Sequence, residues 1–446
     1  MKKYSAALYI FLYLFVAVSL MAEPGESEKN WTLEECLAQG LSAHPLLKTA
    51  QCNVAIEEAK IRQIGAAFDP KIDMRASWRR QRTEFARTRV VKDPVIDSTS
   101  ESLSISKTIY DSGQNEMQKK AAGQNLMAVR ARLEEARINI AADIKTAFFK
   151  AQQARAILQV KLETLEGYEK HLEKVQGFVE VGTRPPYDIT RAQVDVSNAR
   201  VELISARSQL KVALAGLARA TGLENSVNVA EYVDTPLPEA SSYSKAKFLD
   251  EALARPDVRS AVFQINSAGF RISEARRSLK PSVAASGEYS WSGTATPLDR
   301  QWGMGITMSW PLFDGALSRS RIDVARRQLE SSSAGYENLK LSVNAEVENS
   351  VTRVTDAIER YQATEFVVQQ ASESMLLAEG RYDAGLGSPI EIADARVELA
   401  RARGNHVTAF FESLVALAEL DRMLGRLPLE LESTDNNAVE KLEKQP

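Results

Sequence analysis

The sequence predicts an α+β membrane protein, mostly long α-helices in coiled-coil contact, with four β-strands per chain and an internal two-fold repeat. Three observations predict it. Matching motifs recur at a nearly fixed spacing in the two halves, each half holds a proline-free helical pattern of about seventy residues, and each holds a tryptophan-bearing pair of alternating segments.

The repeat is visible position by position. Pro45 answers to Pro256 and Pro70 to Pro281 at an offset of 211. Farther on, Ile109-Tyr110-Asp111 answers to Leu312-Phe313-Asp314, Gly182 to Gly385, Ile189 to Ile392 and Gly222 to Gly425, now at an offset of 203. The shortfall lies between Pro70 and Ile109, so the first half has the longer loop there, where insertions are tolerated. Repeat 1 is expected over residues 23–223 and repeat 2 over 244–427. A polar, proline-bearing connector at 224–243 joins them, and a polar tail occupies 428–446.

Residues 1–22 carry Lys2 and Lys3, an apolar run from Ala6 to Leu20 and small residues before Glu23, the pattern of a secretory signal peptide cleaved after Ala22 or Ser19. Beyond it no apolar run approaches the roughly 20 residues of a spanning helix, so a membrane crossing must use strands. The chain is 44% hydrophobic and 26% charged with a formal net charge of −3. No large basic domain is present, which argues against a nucleic-acid partner, as does export.

Each element follows from its residues. Thr32 and Glu35 form a capping box for an opening helix, which Trp31 and Cys36 can staple. The two cysteines, Cys36 and Cys52, allow a disulfide in an oxidising compartment, although an unpaired buried thiol is the commoner outcome for so sparse a count. A strand pair is expected at 71–110, where Ile72, Met74, Ala76 and Trp78 alternate with charged residues and serine, and Leu103 and Ile105 with serines. The second pair, at 282–311, alternates Val283, Ala285, Tyr289 and Trp291, then Trp302, Met304, Ile306, Met308 and Trp310. Trp78, Trp291, Trp302 and Trp310 suit the aromatic rims of an apolar band about 25 Å tall. A soluble sheet with one face on a core is the plainer reading of the same alternation.

Asp111 and Asp314 stand where helix N-caps belong. From there Leu126, Ile140, Ile144, Ala151, Leu158, Leu162 and Val175 recur at three- and four-residue steps, as do Ile322, Val343, Val347, Val354, Ile358 and Met375 in the second half. Such a helix is on the order of 100 Å long and cannot bury its stripe alone. Return helices carry Ala192, Val196, Ala199, Leu203 and Leu217, and in the second half Ile392, Ala395, Leu399, Ala402 and Ala409. Each is about half as long as its outgoing partner, so the helices after Pro45 and Pro256 must line the remainder.

Four strands cannot close a barrel, and lipid tolerates no open edge, so copies must associate. Two copies give about eight strands and a filled interior, three about twelve and a water-filled bore.

The doubled plan, the strand exit Leu312-Phe313-Asp314-Gly315 and the tips Val181-Gly182-Thr183-Arg184-Pro185-Pro186-Tyr187-Asp188 and Tyr382-Asp383-Ala384-Gly385-Leu386-Gly387-Ser388-Pro389-Ile390-Glu391 resemble TolC-type outer-membrane efflux proteins, from about Thr32 to Gly425. The resemblance implies a homotrimer sharing a twelve-stranded barrel in outer-membrane lipid, a periplasmic helical tunnel and an equatorial belt from connector and tail. It also implies docking to a periplasmic adaptor (membrane fusion protein) and an inner-membrane transporter. The expected role is the passive exit duct of a tripartite pump or type I secretion system.

By the same resemblance, Glu391 and Asp394, three apart on one helix face, ring the periplasmic entrance and attract cations. A complement to the helix dipole is the plainer reading of these carboxylates. Tyr382 and Asp188 match latch positions, whereas Gly387 stands where the latching arginine is expected, so Arg184 is expected to reach a carboxylate of a neighbouring tip. Gly182, Thr183, Pro185, Pro186, Gly385, Leu386, Ser388 and Pro389 form tips offered to the adaptor. Arg79, Arg80, Arg82, Arg87, Arg89 and Lys92 crowd the first hairpin loop, to meet anionic lipid or solvent. His44, His171 and His406 lack ligand spacing, and Gly303 with Gly305 lacks the helix of a phosphate site, so no enzyme, cofactor or metal is expected. A periplasmic adaptor or a structural tether also contains long helices, but leaves the strand pairs without purpose.

Overall fold

The computed structural model describes residues 30–82, 95–224, 227–230, 236–294 and 297–427. The leader at 1–22, the tail at 428–446 and the cations Arg87, Arg89 and Lys92 lie outside them. In chain order the elements are β1 (Asn30–Trp31), α1 (Leu33–Ala43), α2 (Pro45–Gly65), β2 (Lys71–Arg82), β3 (Val95–Tyr110), α3 (Gln114–Glu180), α4 (Tyr187–Thr221), β4 (Asn228–Val229), α5 (Lys245–Leu253), α6 (Pro256–Arg277), β5 (Ser282–Gly293), β6 (Asp299–Ser309), α7 (Leu317–Asp383) and α8 (Pro389–Leu424). They form two compact units, one from the described residues of 46–137 and 248–347, the other from those of 30–45, 138–247 and 348–427.

The first unit holds an antiparallel sheet in the order β2-β3-β5-β6. Its register aligns the apolar positions of all four strands: Ile72, Ile105, Gly287 and Met304 share one row, and Met74, Leu103, Tyr289 and Trp302 the next. Rows of the opposite face read Asp73, Ser104, Glu288, Gly303 and Arg75, Ser102, Ser290, Gln301. The period-two expectation therefore extends across strands, because a one-residue slip at any pairing would mix the faces. The apolar face is uncovered, with Met304 81%, Ile306 74% and Trp302 70% exposed. The outer strands β2 and β6 each pair on one side only. Trp310 lies just past the end of β6 rather than in it, its indole N–H donating to the Leu279 carbonyl at 3.1 Å.

The long helices begin three residues after the expected caps. Two successive left-handed residues intervene in each repeat, Ser112 (φ 57°) with Gly113 (φ 76°), and Gly315 (φ 62°) with Ala316 (φ 72°). The aspartates still cap from the far side of this turn. Asp111 accepts from the Gly113 and Asn115 amides at 2.8 and 2.7 Å, and Asp314 from the Ser318 amide at 3.0 Å and its hydroxyl at 2.5 Å.

In the second unit the expected capping box is complete: the Glu35 amide donates to the Thr32 hydroxyl and the Thr32 amide to the Glu35 carboxylate. Such a cap stabilises by about 1 kcal/mol. Part of the connector is ordered as β4, paired in parallel with β1. Both cysteines are free thiols, Cys36 buried and Cys52 exposed, so no disulfide forms. Burial pushes the Cys36 thiol up to about 11, with Glu35 adding to the shift.

The expected stripes are the buried ones. Ile140, Ile144, Ala151, Ala192, Val196, Ala199, Leu203, Val354, Ile358, Ala402 and Ala409 lie in the core of this unit, the alanines allowing close helix contact. Leu162 departs from the pattern and is exposed. A second apolar set is exposed on α4, Val194, Val201, Ile204 and Val212, and another on α7, Phe366, Leu376 and Leu377. No described residue of the chain covers them. No described helix is long and apolar enough to cross a membrane.

Candidate functional site

The two helical hairpins end in turns of one design. Gly182 (φ 76°) and Gly385 (φ 77°) take left-handed conformations that end α3 and α7. In the next residue, the Thr183 amide donates to the Phe178 carbonyl and the Leu386 amide to the Arg381 carbonyl, both at 2.9 Å. This is the glycine-closed helix end that satisfies otherwise orphaned carbonyls. The Thr183 hydroxyl adds a second bond to Phe178 at 2.8 Å. Past the turns, Pro186 precedes α4 and Pro389 opens α8, where the Ser388 hydroxyl accepts from the Ile390 amide. Leu386 projects from the second tip, 77% exposed.

Tyr382 is the centre of the site. It is 1% exposed, in an apolar cluster with Val175, Met375, Ala378, Ile392 and Ala395, flanked by Phe178, Val179, Ile189 and Leu399. Its ring lies 5.7 Å from that of His171 and 6.1 Å from that of Phe178. Arg184 crosses from the first tip to the second: its guanidinium lies 4.3 Å over the Tyr382 ring and donates to the Tyr382 carbonyl at 3.3 Å. The structure thus brings Arg184 and Tyr382 together, and within the chain Arg184 meets a π-face and a carbonyl rather than a carboxylate. Such a cation–π contact contributes about 0.5–2 kcal/mol.

Asp188 is also buried, and one of its carboxylate oxygens and the Tyr382 hydroxyl lack a hydrogen-bond partner among the described residues. Burial raises the Tyr382 phenol above its ordinary value; Arg184 opposes the shift, and Asp188 and Asp383 add to it. Unsatisfied buried groups of this kind store free energy that a rearrangement can release.

Glu391 and Asp394 are exposed on the first turns of α8, as the spacing predicts. Glu391 pairs with Arg381 at 3.3 Å, whereas Asp394 has no ion-pair partner among the described residues. Lys174 pairs with Asp383. The rim tryptophans belong to the sheet unit: Trp78 and Trp302 are exposed, and the Trp291 ring meets that of Tyr289 at a tilt of 58°, with centroids 4.5 Å apart. Arg80 lies on β2 rather than in the loop; its side chain is 62% exposed, binds Asp97 through two 2.8 Å hydrogen bonds and lies 5.8 Å from the Trp78 ring.

The contacts of three residues at the tip are not legible in the sequence. Arg396 stands on the α8 stripe with its side chain only 11% exposed, donating to the Gly167 carbonyl at 2.7 Å and to Glu379 at 3.0 Å, so it ties α8 to α3 and α7. A cation amid Ile392, Ala395 and Leu399 was the available signal, since a buried charge demands partners. Arg381 carries no such signal. His171, third, is held neutral: burial, then Arg396 and Lys174, lower it from 6.5 to about 4, with Asp383 opposing. Because the folded value lies below the unfolded one, the packing it favours is intact above pH 6.5 and is lost as pH falls toward about 4. His171→Phe is expected to weaken acid loosening of the tip over that window, measured by hydrogen exchange of the 175–184 amides against pH.

The family described as outer membrane efflux protein matches residues 37–223 and 249–426. The chain is similar to the toluene efflux pump outer membrane protein TtgF of Pseudomonas putida, 24% identical over 414 residues that span 90% of this chain and 86% of the relative. Among solved structures it resembles the CmeC outer membrane channel of Campylobacter jejuni, with a TM-score of 0.75 at 16% identity over 94% and 93% of the two chains. The open MtrE outer membrane channel of Neisseria gonorrhoeae gives a TM-score of 0.71 at 20% identity over 88% and 89%. At these identities the structural likeness is one of fold.

Proposed function

The chain belongs to the outer membrane efflux protein family, and on that premise we propose that three copies pool their sheets into one twelve-stranded barrel and their helices into a periplasmic tunnel. The protein is a channel of the outer membrane, the exit duct of an efflux assembly with a periplasmic adaptor and an inner-membrane transporter.

One observation carries the reading: a four-stranded antiparallel sheet with an uncovered apolar face and two half-paired outer strands. Each lipid-facing backbone group left unpaired costs several kcal/mol. With alternating directions, β6 of one copy meets β2 of the next in antiparallel sense, so the ring closes without mismatch. The exposed stripes Val194, Val201, Ile204 and Val212 on α4 and Phe366, Leu376 and Leu377 on α7 supply the apolar faces that a second copy covers. An adaptor or tether has no use for such a sheet.

Function divides along the chain. Trp78, Trp291, Trp302 and Trp310 mark the rims of the membrane band. The serine- and glycine-rich opposite face lines the bore, and cargo selection is assigned to the pump and adaptor. At the periplasmic end, Arg184, Tyr382 and Asp188 latch the tips, Glu391 and Asp394 ring the entrance, and residues 182–186 and 385–389 meet the adaptor. Full-length protein in planar bilayers tests this: ion conductance with long closed periods is expected, and a protein that leaves bilayers silent contradicts it.

A further inference from the structure

We propose that Arg381 is a built-in counter-charge of the entrance ring and sets how strongly the channel favours cations, an inference that rests on Glu391 and Asp394 forming that ring. Its Nε lies 3.3 Å from Glu391, the first of the two ring carboxylates.

The turn between α7 and α8 holds it there. The Arg381 carbonyl accepts from both the Leu386 and Gly387 amides at 2.9 Å, so the chain folds back onto Arg381. A Cβ at Gly387 would lie 2.9 Å from the Tyr382 nitrogen, 3.1 Å from the Arg381 carbonyl carbon and 3.2 Å from the Arg381 Cβ. Backbone at that range cannot yield, so only glycine permits the approach. The residue expected to be a latching arginine is therefore a glycine for a steric reason, and its absent side chain brings Arg381 against the first turn of α8.

The two nearby tip cations are committed elsewhere. Lys174 holds Asp383, and Arg184 lies on Tyr382. Asp394 alone of the two ring carboxylates stays unmatched among the described residues. Three copies then present three uncompensated carboxylates rather than six. The Arg381 side chain is 60% exposed, so the pair is no rigid strut. It acts as charge: a unit charge about 6 Å from a permeating ion changes its local concentration roughly threefold, even with the dielectric constant of water.

Reversal potentials of the full-length channel across a potassium chloride gradient test this. Arg381→Gln is expected to raise the cation-to-anion permeability ratio about threefold, and Arg381→Lys to leave it near wild type. Asp394→Asn and Glu391→Gln should each lower the ratio, because either removes one negative charge per copy. If Arg381→Gln matches wild type while the two carboxylate variants lower selectivity, the counter-charge is refuted and the ring stands. If neither carboxylate variant moves the ratio, the ring reading falls and the proposal with it.

Discussion

Met304→Arg is expected to abolish the assembled channel. Met304 is 81% exposed, in one row with Ile72, Ile105 and Gly287, on the face assigned to lipid. An arginine on the lipid face of a barrel costs up to about 2–4 kcal/mol per copy, and a symmetric trimer bears that cost three times. Ser104→Lys is the matched control, because Ser104 lies on β3 in the row of Asp73 and Glu288, on the bore side. The readout is the fraction of protein recovered from outer membranes as a heat-resistant oligomer. A near-total loss is expected for Met304→Arg and little change for Ser104→Lys; equal losses would show that the sheet has no lipid side.

Tyr382→Ala is expected to produce the largest change in gating. Removing an aromatic ring from a buried cluster costs about 3–5 kcal/mol when the site does not collapse. Here the ring also carries the contact with Arg184 and packs on His171 and Phe178. Its loss separates the first tip from the second, so open-channel lifetimes in bilayers should lengthen at least about tenfold, the equivalent of 1.4 kcal/mol. Arg184→Ala removes only the cation and should give a smaller increase of the same sign. Tyr382→Phe keeps the ring and deletes a hydroxyl that has no partner among the described residues, so it should stay near wild type. An Arg184→Ala channel that stays as closed as wild type would remove Arg184 from the latch.

Much of the fold is legible in the sequence. The stripe positions of α3, α4, α7 and α8 are local consequences of a 3.6-residue period, and the repeat fixed their order twice. The strands were legible because their faces differ so sharply in polarity. What sequence missed is instructive. The helix starts were displaced to Gln114 and Leu317 because Ser112-Gly113 and Gly315-Ala316 are left-handed pairs, and only one member of each is a glycine. Trp310 fits the alternation yet lies beyond β6, since periodicity does not say where pairing stops.

At the tips, residue types were readable and partners were not. Arg184 was matched to a carboxylate by charge, whereas the fold presents it with the face of Tyr382, a pairing set by how two turns far apart in sequence meet. The exposed stripe of Val194, Val201, Ile204 and Val212 escaped notice because a helix with two apolar sides looks, in sequence, like one with a broad core face.

The most direct test of the central claim is the subunit count of the mature protein extracted in detergent, measured by native mass spectrometry. Three chains per particle is the predicted result. A chain that stays monomeric and soluble without detergent would contradict it, for one sheet with two half-paired outer strands has no way to seal itself from lipid alone.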